Sequence, residues 1–255
     1  MNKTVSQRLD VAIDSWRSWQ PGLSRRPQVV DSLPGGLTNT SWLVETDRGL
    51  VVVRINSPHD KSLNIDRHRE EHIHRAVAWA GLAPAIVFCD ALKGFLVSEY
   101  IRGTIWQAES FQRTDNQKKL LQLLDSIQKI RLPLPKFDYW QHLCHYDFFL
   151  KSLGATIPDD LNNRKKNHQR QIQEFQSAPW RPVLTHHDLQ SGNIIERKGR
   201  LYVIDWEYAA MGCGDMDCQV AGGKNDGGWA VIPLLQSLIS DYWLLVKNQV
   251  TELQQ

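Results

Sequence analysis

The stretch Leu184-Thr185-His186-His187-Asp188-Leu189-Gln190-Ser191-Gly192-Asn193-Ile194-Ile195-Glu196, with Val203-Ile204-Asp205-Trp206-Glu207-Tyr208 shortly after it, decides how the rest of this chain is read. Asp188 and Asn193 are separated by four residues, and a second acid, Asp205, ends an apolar run. Ile194–Arg197 and Leu201–Ile204 read as short strands joined at Lys198-Gly199, a hairpin that brings Asn193 and Asp205 to the same end. A single Asp–Asn pair is usually a loop cap or turn. The full pattern is far rarer, and it is the set that phosphoryl transfer needs. One carboxylate orients the attacking hydroxyl and takes its proton, while an amide oxygen and a second carboxylate hold magnesium against the phosphates. Hard oxygen ligands suit that ion.

Working outward, the chain has 255 residues, enough for one large domain or two smaller lobes. It is 42% hydrophobic and 23% charged, with a formal net charge of +2, a balance that argues against a nucleic-acid partner. Cys89, Cys144, Cys213 and Cys218 form no CxxC pair, and free thiols in a reducing cytoplasm fit them best. No apolar segment of signal-peptide type opens the chain, and Ala230–Val246 is too interrupted by polar residues to span a bilayer. The expectation is a cytoplasmic protein with no membrane and no protein partner.

Residues 4–20 have helical spacing through Val5, Leu9, Ile13 and Trp16, and Pro21-Gly22 stops them. A loop with Leu33-Pro34-Gly35-Gly36 follows. Ser41–Thr46 and Leu50–Ile55 read as a hairpin turning at Asp47-Arg48-Gly49. A helix is predicted from Ile65 to Ala80, then strands at Ala85–Cys89 and Phe95–Tyr100. Beyond Ile101-Arg102-Gly103 the pattern is mostly helical, over Asn116–Ile130, Asn163–Gln176 and Ile232–Val246. The expected fold class is α+β in two lobes. Residues 1–100 form an antiparallel-sheet lobe and residues 101–255 a mainly helical lobe.

The spacing of His186, Asp188 and Asn193, with Asp205 after it, matches the catalytic loop and metal-binding Asp of kinases. The strip resembles the choline kinase and aminoglycoside phosphotransferase family, which has the protein-kinase-like fold. It is most similar to bacterial choline kinases and thiamine kinases, where an Ile-Asp-Trp-Glu-Tyr run is common. The resemblance implies ATP and Mg2+ as cofactors, Asp188 as the catalytic base, Asn193 and Asp205 as magnesium ligands, and His186 as a brace. It covers about residues 30–220.

The other parts of an ATP site are present. Gly35 and Gly36 let backbone amides approach phosphate, and Thr38 and Asn39 add polar groups. This segment resembles the Gly-Gly-x-Thr-Asn loop of choline-type kinases. In the following strand Val52 and Arg54 point the same way, so Val52 can floor the adenine while Arg54 reaches the phosphates. Protein kinases use Lys there, and Arg is familiar in the choline kinase-like group. Glu70 or Glu71 is placed to pair with Arg54, and Glu70, bordering the buried stripe, is preferred. By resemblance, adenine bonds backbone groups of Glu99 and Ile101.

The chain runs from Asp205 only to Gln255 without an Ala-Pro-Glu, and His187 replaces the regulatory Arg of protein kinases. The expected acceptor is therefore a small-molecule alcohol. Trp206, Glu207 and Tyr208 suit a cationic head group, with Asp215 and Asp217 as further charge, although Trp206 and Tyr208 read equally well as core. The glycine-rich run Gly222–Gly228 reads as a lip of the acceptor site. An aminoglycoside or amino-sugar phosphotransferase is the nearest alternative, and a catalytically silent pseudokinase is one of another class. His68-Arg-Glu-Glu-His72 also matches a zinc-protease motif, which nothing else in the chain supports.

Overall fold

The computed structural model describes residues 4–19, 22–34, 38–220, 222 and 229–252. In chain order its first elements are α1 (Val5–Asp14), α2 (Trp16–Trp19), β1 (Gln28–Leu33), β2 (Thr40–Thr46), β3 (Gly49–Ile55), α3 (Arg67–Trp79), β4 (Ile86–Asp90), β5 (Phe95–Glu99) and β6 (Thr104–Ile105). Then come α4 (Thr114–Gln128), α5 (Tyr139–Ser152), α6 (Asp159–Asn167), α7 (Gln169–Ser177), β7 (Val183–Thr185), β8 (Ile194–Arg197), β9 (Arg200–Val203), β10 (Ala210–Gly212), α8 (Asp215–Cys218) and α9 (Val231–Glu252). The fold is α+β, with antiparallel sheet first and helices after it. The chain divides into two compact units: Met1–Pro58, Arg67–Ser110 and Gln190–Trp206 form one, and His59–Asp66, Phe111–Leu189 and Glu207–Gln255 the other.

The first unit is built on a five-stranded antiparallel sheet in the order β1-β2-β3-β5-β4. The β2–β3 hairpin turns at Asp47-Arg48, with Thr46 opposite Gly49 and Gly49 at φ +123°, a conformation a side chain resists. Alternation along β3 sorts its side chains. Val51, Val53 and Ile55 are buried with Ala12, Ile13, Trp16 and Trp19 of α1 and α2, which puts Val52 and Arg54 on the opposite face. Strand β1 falls where a loop is expected. It is an exposed edge with a bulge between Val29 and Asp31, so it lacks the apolar alternation that marks a strand. A smaller sheet, β6-β8-β9, completes the unit, and the Val203 amide donates to the Leu82 carbonyl at 2.8 Å.

His74 shows what the interior of this unit demands. It is buried on α3, with Nε2 2.9 Å from the Pro84 carbonyl. Burial pushes its imidazole down to about 4. A base whose folded pKa lies below its unfolded value near 6.5 takes up its proton more readily once unfolded. Its contribution is therefore complete above pH 6.5 and is lost as pH falls toward 4, an effect on the order of 3 kcal/mol. His74→Gln, which keeps a donor for Pro84, is expected to flatten the fall in urea midpoint between pH 6.5 and 4. An unchanged slope would show that other groups carry it.

The second unit packs α5 against α9, with Tyr139, Leu143, Tyr146 and Leu150 buried among Ile232, Leu235, Leu238, Tyr242 and Val246. The helix expected over 163–176 is two helices, α6 and α7, broken at His168. The short strands β7 and β10 pair antiparallel, Thr185 opposite Ala210 and Val183 opposite Gly212. The segment His59–Asp66 follows β3 in sequence yet belongs here. Leu63 is buried in this core, Tyr146 donates to the Leu63 carbonyl at 3.2 Å, and His142 lies 2.7 Å from Asn64.

Candidate functional site

In the first unit the site grows from Arg54 on β3. Its Nη2 is ion-paired with Glu70 Oε1 at 2.6 Å, its Nη1 contacts Asp205 Oδ1 at 3.2 Å, and its Nε donates to Asn56 Oδ1 at 3.1 Å. The choice between the two acids is resolved: Glu70 is 2% exposed and takes Arg54, whereas Glu71 pairs with Arg75 on the solvent side. Glu70 lies in the first turn of α3, where the helix dipole favours a negative charge. Burial alone would push its carboxyl up, but the Arg54 and Arg67 guanidiniums outweigh burial and hold it below the usual range. Arg67 donates to Glu70 Oε2 at 2.8 Å and to Asn39 Oδ1 at 3.0 Å. The sequence reading missed Arg67. Its one signal is a cation three residues before a first-turn acid.

Asn193 and Asp205 do come to one end of a hairpin. Ile194 faces Val203, and the Ile204 amide donates to the Asn193 carbonyl at 2.9 Å. Asn193 is buried and Asp205 half-buried. Asp205 is held at φ +64°, a left-handed backbone that costs about 1–2 kcal/mol for most residues and that Asp tolerates better than most. An amide oxygen and a carboxylate are the hard donors that magnesium takes, so these two residues fit that ion.

In the second unit, Asp188 follows His186 and His187 out of β7 and is half-buried. The loop is stapled by a residue the sequence reading gave only as spare charge. The fully buried Asp217 accepts the His186 amide at 2.6 Å and the His187 amide at 3.0 Å. Burial pushes its carboxyl up, partly countered by His186 and the two amides. His187 sits at φ +66°, its Nε2 2.9 Å from the Tyr139 hydroxyl. That hydroxyl also accepts the Cys213 amide at 2.9 Å. A Cβ on Gly212 would lie 2.5 Å from His187 Nε2 and 2.7 Å from the Tyr139 hydroxyl, so β10 passes here only as glycine. His186 is wholly buried, and its Nδ1 accepts the Asp188 amide at 3.3 Å.

The expected acceptor residues divide. Trp206, in the first unit, is fully buried with its indole N–H on the Val203 carbonyl at 3.0 Å, which makes it core. Glu207 and Tyr208 belong to the second unit. Glu207 is buried, and the Tyr208 hydroxyl accepts the Trp243 indole N–H at 2.6 Å. Burial, reinforced by Glu207 and Asp188, pushes both the Tyr146 and Tyr208 phenols up. Aromatic rings and carboxylates are therefore concentrated around Asp188.

Thr38 and Asn39 are half-buried and buried; Gly35, Gly36 and the glycine-rich residues 223–228 lie outside the described residues. Val52 is half-buried, Glu99 ends β5 in solvent, and Ile101 is buried just beyond it. His68 and His72 of the zinc-like motif are exposed, and among the described residues no group of three metal-binding side chains occurs. No described helix is long and apolar enough to cross a membrane.

A sheet-based unit carrying an Arg–Glu–Asp cluster and a helical unit carrying an Asp on a stapled loop define a kinase-like phosphotransferase fold. The family model described as "Phosphotransferase enzyme family" (APH) matches residues 29–218, most of the chain, and the protein belongs to that family. No curated protein matches its sequence. Among solved structures it is similar to LicA, the choline kinase of Streptococcus pneumoniae, in complex with AMP. Identity is 22% over 94% of this chain and 90% of that chain, with a TM-score of 0.74. A choline/ethanolamine kinase family protein from Mesorhizobium loti is 18% identical over 97% of this chain and 87% of that chain, TM-score 0.69. The aminoglycoside phosphotransferase APH(4)-Ia is 14% identical over 95% and 89%, TM-score 0.59. At these identities the likeness is one of fold.

Proposed function

We propose that this chain transfers the γ-phosphate of ATP to a hydroxyl of a small cationic alcohol, of the choline, ethanolamine or thiamine type. The observation that carries the reading is Arg54, which touches Glu70 at 2.6 Å and Asp205 at 3.2 Å and so joins the phosphate-binding cation to the metal-binding acid. Val52 lies on the same face of β3, where it can floor the adenine, and Glu99 and Ile101 offer backbone groups to the base. Gly35, Gly36, Thr38 and Asn39 belong to the segment that would cover the phosphates. Asn193 and Asp205 would hold magnesium, which when bound supplies the positive charge that offsets charge building on the phosphates. Asp188 takes the proton of the acceptor hydroxyl, and the Asp217 staple keeps it in place.

The cationic acceptor is supported by the chemistry around Asp188. Glu207 and the half-buried Tyr208 place a carboxylate and an aromatic ring in the electrostatic neighbourhood of Asp188, a pairing that attracts an ammonium or thiazolium. Choline kinases and aminoglycoside phosphotransferases both stand among the structural relatives, so the choice of a cationic acceptor rests on these side chains.

The test is ADP release from ATP over a panel of choline, ethanolamine, thiamine, aminoglycosides, amino sugars and homoserine. One of the first three is expected to stimulate release in the presence of magnesium. Stimulation by aminoglycosides or amino sugars alone would move the chain to that branch of the family. Silence across the panel, with ATP still bound, would make it a pseudokinase.

A further inference from the structure

We infer that Arg67 is a positioning residue for nucleotide binding, whose guanidinium fork ties Asn39 to the Glu70–Arg54 pair. This rests on the phosphotransferase reading above. Arg67 opens α3 and is buried, and a buried guanidinium is costly to desolvate unless it is well paired. Glu70 already has a cation in Arg54 at 2.6 Å, so charge neutralisation does not by itself call for a second one.

What Arg67 adds is geometry. Its Nη1 donates to Glu70 Oε2 at 2.8 Å and its Nη2 to Asn39 Oδ1 at 3.0 Å, so one planar group fixes two points. Asn39 Oδ1 also accepts the Ser57 amide at 3.0 Å. On the far side, Arg54 carries the contact on to Asn56 and Asp205. An unbroken series, Asn39–Arg67–Glu70–Arg54–Asp205, therefore runs from the residue closing the Gly35–Asn39 segment to the metal-binding acid. Lysine in place of Arg67 keeps the charge, but its single ammonium on a flexible stem cannot reproduce the fork.

The experiment is calorimetric titration of Mg-ADP into the full chain, alongside thermal melting, for Arg67→Lys, Asn39→Ala and the double variant. Arg67→Lys is expected to bind about tenfold more weakly, the size of one lost charge-assisted hydrogen bond, with little change in melting temperature. The double variant is expected to bind about as weakly as Asn39→Ala alone, because both changes cut one link. A purely structural Arg67 would lower the melting temperature without coupling to Asn39. Wild-type affinity in Arg67→Lys, or losses that multiply in the double variant, would overturn the inference. A wild-type chain that binds no Mg-ADP would overturn the nucleotide reading and this inference with it. Should Arg67→Lys fail to fold, Arg67→Gln, which keeps a planar donor, enters the same cycle and is judged by the same coupling.

Discussion

Asp188→Asn is expected to lower turnover about a thousandfold while leaving the melting temperature and Mg-ATP affinity close to wild type. The amide has the shape of the carboxylate but cannot take a proton at neutral pH, so the acceptor hydroxyl loses its base. The fold is expected to tolerate the change because the loop is held by other atoms. The Asp188 backbone amide, which donates to His186 Nδ1 at 3.3 Å, is kept in the variant. The staple is Asp217 on the His186 and His187 amides, and the clamp is Tyr139 on His187. The measurement is steady-state turnover with the acceptor found in the panel, beside calorimetry with Mg-ATP. Turnover within a few-fold of wild type would remove Asp188 from the role of base. A loss of activity accompanied by a lower melting temperature would give it a structural role instead.

The parts of this site that were legible in the sequence are the parts whose signal is local. The His-x-Asp-x4-Asn strip, the apolar runs on either side of Lys198-Gly199, and the Asp47-Arg48-Gly49 turn each declare themselves within a few residues. Strand alternation was enough to put Arg54 on the face away from Val51, Val53 and Ile55, because a period of two leaves no other choice. The partners of these residues were not legible. Asp217 staples amides about thirty positions earlier in the chain, and its own surroundings, Cys213-Gly-Asp-Met-Asp-Cys218, say nothing of that. Helix α5 was overlooked for a different reason. Its buried stripe is Tyr139, His142, Leu143, Tyr146 and Leu150, so two of the five are tyrosines and one is a histidine, while Phe148 on the outer side is exposed. A pattern that counts aliphatic residues as inside reads that helix as featureless. Trp206 failed the other way. It sits beside Asp205 in sequence, yet its indole is spent on Val203 in the interior.

Asp205→Asn is expected to abolish the dependence of ATP binding on magnesium rather than ATP binding itself. Two effects set the sign. With magnesium, the variant lacks the charged oxygen that would hold the ion, and its affinity is expected to fall about a hundredfold, or about 2.7 kcal/mol. Without magnesium, the carboxylate of the wild type repels phosphate and also occupies Arg54 Nη1 at 3.2 Å. Removing that charge frees part of Arg54's attraction for phosphate, so affinity in chelator is expected to stay level or rise. The ratio of the two dissociation constants therefore collapses toward one, a signature that general loss of structure does not produce. Asn is the better replacement because the backbone at φ +64° is open to Asn and Asp and resists Ala. Asp205→Ala is expected to show the same collapse with an added loss of stability from that strain. Calorimetry of ATP with magnesium and with chelator reads both arms. A variant that retains the wild-type ratio would place the metal-binding acid elsewhere, and would leave Arg54 as a structural partner of Glu70 and Asp205.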